Sequence, residues 1–111
     1  MNGELTKAQR RRLRELGGIA YERDLSGELA KLESEFKRWR GGQISPFELS
    51  DTIHRFHQGP SRRLFSKYDG SQLEFAVAHA IHRGVITEEE AGAETIELLG
   101  RHLASLRETG E

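Results

Sequence analysis

Apolar side chains in this chain recur three and four residues apart, and no stretch alternates apolar with polar as a half-buried strand does. That periodicity confines the fold to helices. The most regular run is Leu25, Leu29, Leu32, Phe36 and Trp39, a coiled-coil-like seam two heptads long that reads first as core packing and second as helix pairing between subunits. Before it, Leu13, Leu16 and Ala20, with Ile19 beside them, carry another stripe behind Thr6, a good N-cap. Gly17-Gly18 lies inside this stripe, and each glycine costs about 1 kcal/mol against alanine in a helix. The expectation is a long N-terminal helix from Lys7, open to a kink or break at Gly17-Gly18 and ended by Gly41-Gly42.

Helix signals continue down the chain. Ser45-Pro46-Phe47-Glu48 supplies an N-cap, a first-position proline and a capping-box glutamate, and Leu49, Ile53 and Phe56 then share one face. Proline disfavours helical geometry in the residue ahead of it, so Gln58-Gly59-Pro60 reads as a helix-to-helix turn. A short helix with Leu64, Phe65 and Tyr68 follows, closed by Asp69-Gly70. From Ser71 to about Arg83 one face holds Leu73, Ala76, Val77, Ala80 and Ile81, and a second holds Phe75 and Ala78. A helix apolar nearly all round belongs at the centre. Thr87 with Glu90 forms another capping box, Gly92 marks a turn, and Ile96, Leu98, Leu99, Leu103 and Leu106 carry a last helix. The predicted architecture is all-α: a compact bundle of five or six helices in a single domain over residues 1–111, with 1–5 and 109–111 as disordered ends.

Composition bounds the function classes. A chain of 111 residues suits one domain, and 35% apolar against 32% charged residues suits short helices with solvated outer faces. The chain has no cysteine, which excludes disulfides, thiol catalysis and zinc-thiolate sites. Met1-Asn2-Gly3-Glu4 shows no secretory pattern, and no apolar run approaches the ~20 residues of a membrane span, so a cytoplasmic protein without a membrane partner is expected. Charge is unevenly placed: residues 1–68 hold 14 Lys/Arg against 9 Asp/Glu, and residues 69–111 hold 3 against 9. Such asymmetry marks either a partner surface or basic and acidic parts that face each other within a fold or between subunits. The near-neutral total accords better with the second.

No motif specifies a chemistry, so no catalytic residue and no cofactor is assigned. Ser61, Ser66 and Ser71 sit where capping explains them, and Glu88-Glu89-Glu90 opens a helix. The leading expectation is a non-enzymatic interaction or regulatory module, acting as a homodimer or through a partner helix. Its contact residues would be Leu25, Leu29, Leu32, Phe36 and Trp39, with Phe47 beside Asp51 and His54 as a further patch. One alternative is nucleic acid binding by Arg10, Arg11, Arg12 and Arg14, with Arg38, Trp39 and Arg40, then Arg62 and Arg63, as further basic spots. A lesser one is metal binding. His54 with His57 and His79 with His82 are spaced as helical neighbours, and antiparallel packing of their helices could bring four imidazoles and Asp51 together.

Overall fold

A capping box starts the first helix: Thr6 Oγ1 accepts from the Gln9 backbone N–H at 3.0 Å, and Gln9 Oε1 accepts from Thr6 N–H at 2.9 Å. From there α1 (Lys7–Arg40) runs unbroken for 34 residues. The structure, a computed structural model, describes residues 4–110. Gly17-Gly18 does not break α1, and packing shows why one of the pair is tolerated. Gly17 is buried where the chain of α4 crosses, and a Cβ there would stand 2.7 Å from Leu73 Cδ1. Gly18 is exposed and faces open space.

At 100° per residue, the stripe Leu13, Leu16, Gly17 and Ala20 and the stripe Leu25–Trp39 lie roughly 130° apart around the same helix axis. One helix thus serves two packings. Its first half belongs to a body made by α4 (Leu73–His82), α5 (Glu88–Ala91), α6 (Ala93–Leu98) and α7 (Gly100–Thr109). There Leu13, Leu16, Val77, Ile86 and Leu99 are buried with Leu103 and Leu106. Ala76, Val77, Ala78 and Ala80 have no exposure, so α4 is the central helix that its composition predicts. Phe75 departs from that pattern and is 41% exposed. The Thr87–Glu90 capping box forms as expected, and Gly92 at φ 89° makes the sharp α5–α6 junction that a side chain would strain.

The second half of α1 extends away from this body as an arm. After Gly42 at φ 78° the chain reverses into α2 (Pro46–Phe56), whose Ser45–Glu48 capping box and first-position Pro46 are in place. The turn expected at Gln58-Gly59-Pro60 is replaced by a π turn over His57–Ser61, which leads straight into α3 (Arg62–Tyr68). The wider i→i+5 winding makes room for the proline ring and leaves its missing N–H without consequence. With α2, the π turn and α3 as one bent rod, the described residues form six helical rods and no strand.

Packing is compact in cross-section and drawn out along α1, with extents of 59 × 24 × 23 Å. The radius of gyration is 17.4 Å, against about 13 Å for a compact chain near this length. Of the ends expected to be disordered, Leu5 packs against the core and Thr109 completes α7; residues 1–3 and 111 lie outside the described residues. No described helix is long and apolar enough to cross a membrane.

The two glycines give opposite expectations in denaturant unfolding. Gly18→Ala stabilises by up to about 1 kcal/mol through helix propensity. Gly17→Val destabilises by about 1–3 kcal/mol, because its branches drive into Leu73 and Val77. Equal midpoints for the two variants would contradict the α1–α4 crossing.

Candidate functional site

The arm is built from two antiparallel helices that cover each other only in part. Between residues 25 and 56, Leu49 alone is fully buried; Leu25, Leu32 and Phe56 are half-buried. Helical spacing sends polar residues to one flank. Glu28, Lys31 and Glu35 from α1 meet Thr52 and Arg55 from α2 there, above Leu32, Phe56 and Pro60. Local ion pairs order this flank: Lys31–Glu28 at 3.2 Å, Arg38–Glu35 at 3.0 Å and Arg55–Asp51.

The opposite flank is apolar. Leu29 is 46% exposed, Phe36 36% and Ile53 39%, each one helical step round from the contact line between the two helices. Trp39, at the tip, is also partly exposed, with the Arg40 guanidinium 5.9 Å from its ring centroid. So the predicted seam divides. Leu25 and Leu32 pack inward, Leu29 and Phe36 face out, and Trp39 borders both. Phe47 is 85% exposed on the outer side of α2 and does not staple the loop that holds Ile44.

A polar knot holds the arm at its root. Tyr68 Oη donates to Asp24 Oδ2 at 2.6 Å, and Arg83 donates to both Asp24 oxygens at 3.2 and 3.0 Å. The Tyr68 ring stacks on Tyr21 at 5.7 Å. Burial would raise the Asp24 pKa, but the hydrogen bonds from Arg83 and Tyr68 outweigh it and hold the carboxyl below its usual range. Burial, with the Asp24 contact, pushes the Tyr68 hydroxyl up. Next to the knot, Arg23 forks onto Glu90 at 2.9 and 2.7 Å and also reaches the Val85 carbonyl at 2.8 Å. That fork, with the Thr87 backbone N–H, brings the Glu90 pKa down to about 2. Sequence reasoning missed these residues. The one visible signal was the polar pair Arg23-Asp24 set between Ala20 and Leu25.

The two alternative sites lie in different parts of the molecule. Arg10 donates to the Leu5 carbonyl at 2.8 Å, and Arg12 bridges Glu15 and the Glu90 carbonyl. Arg11 and Arg14 have no partner of this kind among the described residues; at helical spacing they share one side of α1 with Arg10, and Arg12 alone is turned away. The histidine pairs are also separate. His54 and His57 are exposed on the arm, where α2 packs against the second half of α1; His79 and His82 lie on α4 in the body. His79 Nδ1 is 3.0 Å from Lys67 Nζ, and its ring stacks on Phe75. Asp51 is taken by Arg55. Among the described residues no three His, Asp or Glu side chains gather in a metal-holding group. The antiparallel α2–α4 packing that would join the pairs is absent because both helices pack on α1 at different points along it. No protein-family model, curated protein or solved structure matches this chain.

The knot sets an acid limit on stability. Both carboxyls have folded pKa values below their unfolded ones, so their contribution is whole above about pH 4.5. It is lost as pH falls toward about 2, the value to which Glu90 is depressed. Asp24→Ala leaves Tyr68 and Arg83 without their acceptor and costs about 2–3 kcal/mol at pH 7. The difference between this variant and the wild type, followed by chemical denaturation, should shrink as pH falls below about 4, the ordinary value of an aspartate. A difference constant with pH would rule out the charged knot.

Proposed function

We propose that the protein is a non-enzymatic helical interaction module of the cytoplasm whose arm pairs with the arm of a second copy. The observation that carries this reading is the row Leu29, Phe36 and Ile53 along one flank of a two-helix arm that buries only Leu49. A pair of helices with so little between them gains most by covering that row. Two arms laid together make a four-helix arrangement with an enclosed core.

Charge supports a second copy as the occupant. Just beyond the apolar row α1 carries Glu22 and Glu33, then Lys37 and Arg40. None of the four makes an ion pair within the described chain. Antiparallel pairing of two α1 helices centred near residue 31 sets Glu22 of one beside Arg40 of the other. A two-fold interface requires such self-complementarity.

Sedimentation or light scattering on the purified chain is expected to give about twice the 12.6 kDa chain mass. Leu29→Asp combined with Phe36→Asp should reduce it to one chain mass while the helical circular dichroism is kept, with at least a hundredfold weaker association. Leu32→Asp, which puts a charge between α1 and α2, should instead lose helicity. A wild-type chain that stays single at high micromolar concentration would reject the proposal, as would a double variant that still pairs.

A further inference from the structure

A cleft of about 560 Å³ opens between α3 and the start of α4, away from the arm's apolar flank, and its chemistry is of one sign. Arg62, Arg63 and Lys67 line it with the Gln72 side chain, and no carboxylate contributes to its wall. None of the three cations forms an ion pair with a described carboxylate. Arg62 is held by Gln58 Oε1 at 3.0 Å, which orients the guanidinium without neutralising it. Lys67 is drawn partly under the surface, over the Tyr68 ring and against His79 Nδ1. Its pKa is lowered by that burial and by the positive charge of Arg83. The Asp24 carboxylate acts on Lys67 from outside the cleft, but Arg62 and Arg63 have no ion-pair partner among the described residues, and an anion in the cleft would supply one.

The other wall is aromatic. Phe75 interrupts an otherwise buried helix by standing 41% exposed, and it is kept in one orientation. His79 stacks on it at 5.7 Å with 9° between the planes, and His102 meets it edge-on at 6.4 Å. An exposed, pre-oriented ring beside three cations asks for a ligand with two parts: a flat apolar one for Phe75 and a multiply charged anion for the arginine forks. One carboxylate would leave most of the positive charge unanswered, whereas a phosphate matches both the charge and the forks. The volume falls within the range of small-molecule sites and exceeds what a lone phosphate fills.

We propose that this cleft binds a small phosphorylated molecule bearing a planar ring, of the mononucleotide class. Arg62, Arg63 and Lys67 take the phosphate, and Phe75 takes the ring. The reading is independent of arm pairing, since it uses a different surface.

Calorimetric titration of the full chain with ATP, AMP, adenosine and inorganic phosphate tests it. AMP and ATP are expected to bind at least tenfold tighter than adenosine or phosphate alone. Arg62→Ala with Arg63→Ala should weaken the nucleotides by tenfold or more, and both side chains are exposed, so helicity should persist. The pair Arg62→Lys and Arg63→Lys keeps the charge and removes the forks; it should fall between the double alanine variant and the wild type. Phe75→Ala should erase the advantage of AMP over phosphate. Nucleotides no tighter than phosphate would overturn the proposal, as would an affinity that the double alanine variant leaves unchanged.

Discussion

At 34 residues, α1 is about 51 Å long, and the next longest helix has 11 residues, about 16 Å. No single neighbour can cover such a rod. It is therefore covered in parts: α4 packs on its first half and brings α7 with it, and the rod of α2, the π turn and α3 packs on the rest. The place where cover changes is the place where α1 turns its second apolar face to its neighbours. Asp24 sits at that junction and takes hydrogen bonds from Tyr68 at the end of the arm's returning rod and from Arg83 just beyond the body's central helix. One carboxylate thus joins the three runs of chain that meet there.

The two ends of α1 are held by different physics. In the body, Ala76, Ala78 and Ala80 allow close approach of helices, and Gly17 allows α4 to reach the α1 backbone. Dispersion and burial dominate there. In the arm, cover is incomplete, and local ion pairs with solvent-exposed members add little. Incomplete cover leaves Leu29, Phe36 and Ile53 exposed. The π turn belongs to the same design. It lets Pro60 stay within a continuous rod that returns from the arm to the knot at Tyr68, where a tight turn would have redirected the chain.

Local sequence rules read much of this correctly. The capping boxes read at Ser45 and Thr87 form, Thr6 is the N-cap read for α1, and the central place of α4 follows from apolar residues nearly all round it. Those rules act over three or four residues, which is the range over which sequence is local physics. They left Gly17-Gly18 open, where α1 runs on unbroken, and they fell short at Gly59-Pro60, where a wider helical winding stands in place of the expected turn. The histidine pairs show the same limit from the other side. Their spacing is right for shared ligation on one helix, but joining two helices is a matter of packing, and α1 holds those helices at different points.

Sequence by itself determined that the chain is helical, where most helices begin, and that residues 25–39 carry an apolar seam. Hydrogen-bond capping and the 3.6-residue period are properties of neighbouring residues and need no knowledge of the fold. Only the tertiary structure decided which seam residues turn inward, that Asp24 finds Tyr68 and Arg83 across 44 and 59 positions, and that Phe75 shares a cleft with Arg62, Arg63 and Lys67. Those outcomes depend on the rotation of one long helix and the path of the chain around it, and no local pattern encodes either.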